Sequence, residues 1–450
     1  MRQAPEVFEK RKSERRPLGS GSQPLRTPTD SSRRTRVDCS WAASETQGHQ
    51  HVAKTRVSLY VAGLLVIACV LPGQTVSPVR REGRYWVQVE EGSLPGGGRL
   101  RIRSIGSIAV AGADSRQVRY KATKKLKARN AKEAEQLLKS ARLTASRQGT
   151  TAVLSIARPN CFQCNFSAEL EVQAPRSTSD TILSTEGGTL EVNGLAGRVN
   201  ADTAGGSIRM DQIGGSVRAT TAGGGIQLGS IGGDIRAETA GGAIQLERAG
   251  ANAILTTSGG GITAEYVEGK LQAETAGGSI RAERVKGSVF AGTAGGSIRL
   301  GSVGGLINAE TAGGSIHVAS APSGIHAEAA GGRIRLENVA GAVWAASASG
   351  SIDAYFLDGP LKASFLETNV GSIVVWLPAT LAVTIEAIVD LAGNANRIRS
   401  DFPVIQVQRE DQGFGSASLT ARGKLNGGGP VLRIRNMSGR IQIRRKKEQR

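Results

Sequence analysis

Glutamates recur at regular intervals in the second half of the sequence, and paired carboxylates are the groups that cleave glycosidic bonds. Glu238, Glu274 and Glu310 stand at equivalent places of a repeated segment, and glycoside hydrolysis needs two carboxylates about 5–9.5 Å apart. The repeats contain no inserted loop that could shape a pocket. Outward, solvated strand positions explain these glutamates better than a catalytic pair, and no Ser-His-Asp or Cys-His arrangement stands out. We therefore predict no catalytic residues.

The sequence also disfavours metal and cofactor sites. It has four histidines, and His49 and His51 lie near its start, which leaves too few for a zinc site of usual composition. Calcium-binding solenoids place an Asp after the glycines of each repeat, where this chain has Ser, Gly, Ala or Arg in most units and Asp234 in one. The TAGG segments lead into strands, whereas a phosphate loop continues into Lys-Ser/Thr and a helix. We expect no metal and no cofactor.

Two of the four cysteines are close enough in sequence to pair. Cys161 and Cys164 stand three residues apart, between two segments with strand patterns. A redox motif would have a helix start after the first cysteine, and a metal site would need two further ligands. In an exported protein a structural disulfide is the first expectation, so we predict one between Cys161 and Cys164.

An export signal is predicted near the start of the chain. Residues 57–71 read VSLYVAGLLVIACVL, follow Lys54 and Arg56, and end at Pro72. An apolar run this short behind basic residues is typical of a signal peptide and is short for a membrane span, which takes about 20 residues. The VIAC segment ending at Cys69 also resembles a lipobox, in which Cys69 would be lipidated. The alternative is cleavage just beyond Pro72.

Segments with the form TAGGSIR repeat every 18 residues without insertion from Thr185 to Ser347. Around each central aliphatic residue the pattern alternates, with Ser207 and Arg209 outward and Ile208 and Met210 inward. Alternation bounded by glycines indicates short strands. Two aliphatic ladders follow, nine residues out of phase: Leu190, Ile208, Ile226, Ile244, Ile262, Ile280, Ile298, Ile316, Ile334, Ile352 and Val199, Val217, Ile235, Ala253, Leu271, Val289, Ile307, Ile325, Val343, Leu361.

These ladders predict an all-β fold, a capped parallel β-solenoid, or β-helix, of 18-residue coils. Each coil would hold two strands and two turns, with Gly205 and Gly206 and their equivalents supplying positive φ, and coils would stack at about 4.8 Å. A three-sided coil also fits this length, although the half-repeat favours two sides. A column of Thr beside each turn is expected to form hydrogen bonds at the corner.

The expected organisation has five parts. Residues 1–51 are a polar, basic tail expected to be disordered, and residues 52–75 hold the signal peptide or membrane anchor. Residues 76–184 form an N-terminal β-rich cap with a helix at about 130–140 and Asn130 as its N-cap. Residues 185–364 are the solenoid repeats, and residues 365–450 form a C-terminal β cap with a basic tail. Caps are expected because open coil ends would pair with other chains.

A candidate contact surface lies on the outward positions of the second ladder. Aromatic and basic side chains gather there, and exposed aromatics can mark a partner surface. Scattered apolar residues are also normal on protein surfaces. The candidate contact residues are Phe290, Trp344, His326, Arg218 and Arg236.

The charge distribution limits the partners. The formal charge is +19, yet residues 186–362 hold 13 basic and 16 acidic residues, a net charge of −3. The positive charge lies in the two ends and in a basic segment near residues 116–147, which either attracts phosphate-rich surfaces or forms the solvent face of the cap. We therefore expect no nucleic-acid partner, and contact with a membrane only through the N-terminal segment.

The chain resembles the bacterial putative-adhesin family, a domain of unknown function. The resemblance is carried by GSIAVAGAD, VRYKATKKLKA and its following helix, LEVQAP, the Gly-rich repeats, GSIVVWLPA, SDFPV and LNGGGPVLRIRNMSGRIQIRR, over about residues 100–446. The chain departs from the family pattern in the regularity of its repeats and in the polar tail before the signal. The resemblance implies an exported or envelope-linked solenoid.

The expected function is non-enzymatic: an exported protein of the periplasm, outer membrane or cell surface that serves as an adhesin or surface scaffold. Its partner would be an envelope polymer, a surface protein or another copy of the chain. One alternative is a self-assembling filament built by stacking coil ends, and another is a polysaccharide-acting enzyme.

Overall fold

The computed structural model describes residues 74–161, 164–391, 397–411 and 417–446. The predicted tail of residues 1–51, the signal segment of residues 57–71 and Cys69 lie outside the described residues, so the predictions made for them stand as predictions. Within the described ranges, no helix has the length and apolar character needed to cross a membrane.

The described residues of the N-terminal part form ten strands and one helix. Their bounds are β1 (Thr75–Val76), β2 (Arg80–Glu82), β3 (Tyr85–Pro95), β4 (Arg99–Ser104), β5 (Ser107–Ala113), β6 (Gln117–Leu126), α1 (Ala131–Ser140), β7 (Leu143–Gln148), β8 (Thr151–Ile156), β9 (Phe166–Pro175) and β10 (Asp180–Thr185). The predicted N-cap is confirmed, because the Asn130 side chain accepts a hydrogen bond from the Glu133 backbone N–H at 2.9 Å.

The repeats form nineteen strands. They are β11 (Leu190–Asn193), β12 (Arg198–Thr203), β13 (Ile208–Asp211), β14 (Val217–Thr221), β15 (Ile226–Ile231), β16 (Ile235–Thr239), β17 (Ile244–Ala249), β18 (Ala253–Thr257), β19 (Ile262–Val267), β20 (Leu271–Thr275), β21 (Ile280–Val285), β22 (Val289–Thr293), β23 (Ile298–Val303), β24 (Ile307–Thr311), β25 (Ile316–Ser320), β26 (Ile325–Ala329), β27 (Ile334–Gly341), β28 (Val343–Ser347) and β29 (Ile352–Leu361).

In the C-terminal part, the residues that the structure describes add eight strands. They are β30 (Ser364–Thr368), β31 (Ser372–Leu377), β32 (Val383–Val389), β33 (Ile398–Ser400), β34 (Gln406–Asp411), β35 (Ala417–Leu425), β36 (Val431–Asn436) and β37 (Arg440–Arg445).

The described strands form two sheets, of 19 and 18 strands. Sheet A contains β13 and its equivalents, and sheet B contains β14 and its equivalents. Each strand of the repeats pairs in parallel with its counterpart 18 residues on, as Ile208 pairs with Ile226 in sheet A and Val217 with Ile235 in sheet B. The predicted all-β solenoid is confirmed, and its coil is two-sided.

The core of each repeat coil lies between the two sheets. In the coil of β13 and β14, Ile208 and Met210 point inward from sheet A, and Val217, Ala219 and Thr221 point inward from sheet B. Burying such aliphatic side chains stabilises the fold by roughly 1.5–3 kcal/mol each. Because a single coil cannot bury this row alone, its neighbours supply the rest of the contact.

A third buried ladder separates the two predicted ones. Its members follow the sheet A strands at the outer corner of the coil: Leu195, Ile213, Ile231, Ala249, Val267, Val285, Val303, Ala321 and Val339. Leu228 and Ile231 are both buried, whereas Gly229 and Ser230 between them are not. Two residues, instead of the one that strict alternation requires, separate these buried positions. An alternating pattern therefore could not predict this ladder.

The Thr column is buried at the opposite corner, as its predicted hydrogen bonding requires. Thr203 is 6% exposed; its hydroxyl donates to the carbonyl oxygen of Gly188 in the preceding coil at 3.0 Å and accepts from the Gly206 N–H at 3.2 Å. The same pair of bonds recurs at every Thr of the column through Thr311.

The prediction that the TAGG glycines supply positive φ is wrong. Neither Gly205 nor Gly206 lies in the positive-φ region. A Cβ on Gly206 would overlap the carbonyl group of Gly188 in the preceding coil, whereas a Cβ on Gly205 would meet nothing within 4 Å. The second glycine is therefore needed because successive backbones approach closely at the turn.

The second predicted ladder is wrong in its last member. Leu361 pairs with Gly341, and the strand after Val343 is β30, in which Phe365 pairs with Trp344. In sheet A, Ile352 pairs with Ile373, 21 residues on. The extra residues of this coil lie in the long strand β29, whose pairing with β27 is irregular.

At both ends the coils stack out of sequence order. The N-terminal chain makes the coil of β4 and β5, then an outer coil of β8 and β9, and then returns inward to β10 and β11. At the other end, β36 and β37 insert between the coil of β30 and β31 and the outermost coil of β32 and β33. Parallel stacking therefore continues beyond residues 185–364 on both sides.

Antiparallel strands cover most of the outermost coils. At the N-terminal end β7 pairs with β8 and β6 with β9, and β3 adds to β6. At the C-terminal end β35 pairs with β32 and β34 with β35. These strands occupy the edges at which the parallel stack would otherwise continue.

One member of the basic segment is buried and not on the solvent face. The Lys124 side chain is fully buried, forms an ion pair with Glu90, and donates to the carbonyl oxygens of Leu138 and Ala141 at 3.2 and 3.1 Å. Lys124 occupies one of the inward-facing positions of β6. Its hydrogen bonds therefore hold the end of helix α1 against the sheet. Burial, and then the neighbouring Glu90, raise the pKa of Tyr120 in the same layer.

Candidate contact surface

All five predicted contact residues lie on one outward row of sheet B, which we call the contact row. The pairing register aligns Arg218 with Arg236, Phe290 with Asn308, and His326 with Trp344. From β12 to β30 the row is Asn200, Arg218, Arg236, Ile254, Gln272, Phe290, Asn308, His326, Trp344 and Phe365. The row is one residue wide and crosses ten coils. Its members therefore lie on the same face of the sheet but do not converge on one site.

The contact row divides into a basic end and an aromatic end. Arg218 is exposed and makes no ion pair with the described residues, whereas Arg236 is paired with Glu238. Six and seven coils from Arg218, the rings of His326 and Trp344 stack with centroids 3.9 Å apart and planes 4° apart. Phe365 continues the series, 6.5 Å from Trp344. The sequence prediction therefore combined two chemically different regions.

A second outward row, which we call the acidic row, lies two residues along each strand. Its members are Asp202, Thr220, Glu238, Thr256, Glu274, Gly292, Glu310, Glu328, Ala346 and Glu367. It contains the three glutamates that were considered as catalytic candidates because they recur at the same place in the repeats.

Within a coil, polar members of the contact row donate to the acidic row. Gln272 Nε2 donates to Glu274 at 2.7 Å, and Asn308 Nδ2 donates to Glu310 at 2.8 Å. His326 Nε2 lies 3.0 Å from a carboxylate oxygen of Glu328. Each pair places a donor beside an acceptor on the outer surface of sheet B.

Phe290 and Trp344, two aromatic members of the contact row, have small neighbours instead, whereas Phe365 stands beside Glu367. Gly292 stands beside Phe290, and Ala346 beside Trp344. Both rings are therefore open on the flank that a glutamate occupies in the polar coils. The sequence contains these pairs of residues two positions apart. Their arrangement in two adjacent rows becomes evident only when the strand register is known.

Two grooves follow the aromatic end. The larger has a volume of about 990 Å³ and extends over the coils from Ile254 to Trp344, with Phe290, Leu306 and His326 in its lining. Leu306 is 64% exposed on its rim. The second groove, of about 690 Å³, is lined by Gly292, Glu310, Glu328, Trp344, Ala346 and Glu367, among others. Trp344 belongs to both, so its side chain separates the two grooves.

The outer surface of sheet A is mainly charged. Arg281 pairs with Glu283 and Arg335 with Glu337, and a hydrogen bond from Lys286 is the largest cause lowering the pKa of Glu268. An aromatic stack lies there between Tyr355 and Trp376, with ring centroids 5.6 Å apart. Sheet A thus carries a stacked aromatic pair on its outer surface, as sheet B does with His326 and Trp344.

A further open depression of about 820 Å³ lies near the N-terminal end of sheet A. Its floor contains Ala109 and Ala111, and charged side chains such as Glu171, Glu191 and Arg209 surround it. Glu191 pairs with Arg209 at 3.5 Å. The depression is remote from the contact row, which lies on the other sheet.

The other predicted site residues lie apart from the contact row. The sulfur atoms of Cys161 and Cys164 are bonded, with their Cα atoms 5.7 Å apart, in the connection between β8 and β9. Asp234 accepts hydrogen bonds from the backbone and side chain of Asn252. Among the described residues, no group of three or more His, Cys, Asp or Glu side chains is arranged to hold a metal ion.

No protein-family model matches the chain, and no curated protein matches it. Among solved structures it is similar to a putative cell adhesion protein from Clostridium sporogenes, with 8% identity and a TM-score of 0.18 over 80% of this chain and 100% of that one. Adhesins described as putative, from Bacteroides fragilis and Parabacteroides distasonis, each have 12% identity and a TM-score of 0.24 over 64% of this chain and 96% and 95% of theirs. At these scores the likeness establishes neither a family nor a function for this chain.

Proposed function

We propose that this chain is an exported, non-enzymatic surface protein that attaches to its partner through the aromatic end of the contact row. The observation that carries the proposal is the position of Trp344, which stacks on His326 and borders a groove on either side. Open grooves lined by aromatic side chains with a few polar groups are typical binding surfaces. The partner would be an envelope polymer, a surface protein or a second copy of the chain.

The arrangement of the glutamates supports binding over catalysis. Glu274 and Glu310 each accept a hydrogen bond from the side chain two residues earlier, and this arrangement repeats along the row. A glycosidase instead needs one carboxyl group in a setting that keeps it protonated and a second that remains ionised. The antiparallel strands that cover the outer coils favour a binding surface over a filament built by stacking coil ends.

Attachment tests the proposal directly. Beads coated with the full-length chain should bind envelope preparations of the host, and Trp344→Ala or Phe290→Ala should reduce that binding severalfold. Trp376→Ala, which removes a stacked aromatic from sheet A, is the matched control and should bind as the unaltered chain does. If Trp344→Ala and Phe290→Ala leave attachment unchanged, the contact row is not the binding surface. Release of reducing sugars from the same preparations, lost in Glu274→Gln, would instead support an enzyme.

Export needs a separate experiment. Fractionation of the host with mass spectrometry of the mature N-terminus should find a chain that begins shortly after residue 71, or at an acylated Cys69. A cytoplasmic chain that retains Met1 would contradict export.

A further inference from the structure

We propose that the larger groove of sheet B binds a long-chain fatty acid, with the carboxylate beside Lys270 and the acyl chain extended toward Trp344. This inference goes beyond the proposed function, because it assigns a small ligand that the chain would bind whether or not it attaches to a surface. Four features of the groove lead to it: its dimensions, its apolar part, its charge and the paired backbone beneath it.

The groove is a narrow trough along the solenoid axis. One wall is the contact row, and the other is the row of residues two positions earlier in the chain, which we call the corner row. Outward residues two positions apart on a strand are separated by about 7 Å, which leaves room for a single acyl chain laid lengthwise. The corner row along the groove is Asn252, Lys270, Ser288, Leu306, Gly324 and Ala342.

The length of the trough also fits an acyl chain. Between Lys270 and Ala342 lie four strand spacings of about 4.8 Å, about 19 Å in all. The hydrocarbon core of a bilayer, which is two long acyl chains deep, is about 30 Å thick, and a fully extended chain is longer than half of that. Trp344, with His326 stacked on one face of its ring, stands at the far end.

The groove is polar near Lys270, apart from Ile254, and apolar toward Trp344. Asn252, Gln272 and Ser288 lie in the coil of Lys270 or in an adjacent one. The remaining part is lined mainly by the apolar side chains of Phe290, Leu306, Ala342 and Trp344.

Two polar residues of the apolar part direct their polar atoms elsewhere. Asn308 Nδ2 donates to Glu310 at 2.8 Å, and the oxygen of the Asn308 side chain is buried. His326 Nε2 lies 3.0 Å from a carboxylate oxygen of Glu328. Both glutamates belong to the acidic row, on the side of the contact row away from the groove. An acyl chain in the groove would therefore leave these contacts intact.

The charge of the groove selects an anionic ligand. Among the described residues that line it, Lys270 is the one lysine, arginine or carboxylate residue. Its side chain is exposed and makes no ion pair with the described residues. A ligand with one anionic group and a long apolar body matches this distribution. A fatty acid would place its carboxylate beside Lys270 while its chain covers Phe290 and Leu306.

The backbone beneath the groove favours an acyl chain over a peptide. The strands that form its floor, from β18 to β28 in sheet B, are each paired on both edges. A polypeptide laid along the groove would therefore find no free N–H or C=O group in these strands, and an amide covered without a partner is unfavourable. An acyl chain has no such groups to satisfy.

Displacement of the fluorescent fatty acid cis-parinarate from the full-length chain tests the inference. Palmitate should displace the probe. Affinity should rise from octanoate through myristate to palmitate, because each added methylene covers more of the groove, and should then level off as longer chains pass Trp344. Phe290→Ala and Leu306→Ser should each weaken the binding of palmitate severalfold.

The place of the carboxylate has its own test. Lys270→Glu should weaken the binding of palmitate about tenfold, because it replaces an attraction with a repulsion, and should leave the binding of uncharged hexadecanol unchanged. Lys270→Arg should retain the affinity for palmitate. Lys286→Met, which removes a lysine from sheet A, is the matched control and should bind both ligands as the unaltered chain does.

Several results would overturn the inference. Failure of palmitate to bind, or unchanged binding in Phe290→Ala and Leu306→Ser, would show that the groove is not a fatty-acid site. Equal effects of Lys270→Glu on palmitate and hexadecanol would contradict a carboxylate beside Lys270. Dimerisation in sedimentation experiments that Leu306→Ser abolishes, without binding of palmitate, would show that a second copy covers the groove instead.

The result is distinguishable from that of the proposed function. Attachment of coated beads to envelope preparations is measured without added fatty acid. If attachment fails while palmitate binds with the expected dependence on Lys270, the fatty-acid site stands alone. If palmitate does not bind while Trp344→Ala still reduces attachment, the contact surface stands and the fatty-acid site is wrong.

Discussion

The hydroxyl of Thr275 donates a hydrogen bond to the carbonyl oxygen of Gly260 at 2.8 Å, although Gly260 belongs to the preceding coil. The same hydroxyl accepts from the Gly278 N–H of its own turn at 3.1 Å. One buried side chain thus joins two successive turns, and its repetition along the column connects the whole row of corners.

Replacing Thr275 with valine should weaken this connection without changing the size of the side chain. Thr275→Val leaves the Gly260 carbonyl and the Gly278 N–H without their hydroxyl partner, which should cost about 1–3 kcal/mol and speed hydrogen exchange at Gly278. Thr275→Ser, which keeps the hydroxyl, should retain most of the protection. Equal exchange in all three proteins would show that the hydroxyl adds nothing to the corner.

The two glycines of one turn should respond differently to alanine. A Cβ on Gly278 would overlap the carbonyl group of Gly260, whereas a Cβ on Gly277 would come no closer than 3.6 Å to the preceding coil. Gly278→Ala should therefore lower the urea midpoint clearly and Gly277→Ala should leave it nearly unchanged, as unfolding followed by circular dichroism can measure. Similar effects of the two variants would contradict the close backbone approach at the second glycine.

The buried ion pair of the N-terminal cap should be sensitive to loss of one partner. Lys124→Met leaves the Glu90 carboxylate buried without its cation, which typically costs 3–5 kcal/mol, and it also removes the bonds to the end of α1. Limited proteolysis should then cut near residues 131–141 first. The double change Lys124→Met with Glu90→Leu should recover much of the stability, since replacing a whole buried pair is often tolerated. No recovery would indicate that the bonds to α1 matter more than the charge.

The predicted disulfide can be tested by its chemistry. Alkylation of the purified, unfolded chain without reductant should leave Cys161 and Cys164 unmodified, and both should be modified after reduction. Because the closed loop is short, reduction should lower the free energy of unfolding by about 2 kcal/mol or less. Full alkylation without reductant in protein taken from its native compartment would show that the two cysteines are free there.

Much of the fold was predictable because each coil repeats the same spacing. The positions of Ile208 and Val217 within the 18-residue unit fixed the parallel register, the two sheets and the outward direction of Arg218 and Trp344. The ladder of Ile213 was missed because two residues, and not one, separate Ile213 from the preceding buried residue, Met210. The last ladder position was misassigned to Leu361 because the coil that begins at Ile352 is longer than the others.

Other features depend on contacts that no local pattern contains. The reason for Gly206 is the backbone of a residue 18 positions earlier, and the burial of Lys124 depends on α1 covering its strand. For the contact surface, the sequence indicated which residues point outward. It did not indicate that His326 stacks on Trp344, or that Ala346 leaves the ring open beside it, because both follow from the register between strands.

The insertion of the last coil between two others has a mechanical consequence. Strand β37 is paired with β31 on one edge and with β33 on the other, and β36 is held between β30 and β32 in the same way. A force applied at the C-terminus therefore cannot peel a strand from a free edge, one hydrogen bond at a time. It must shear two ladders at once, so the end of the chain is clamped into the fold, and a tether attached there would hold until several strands gave way together.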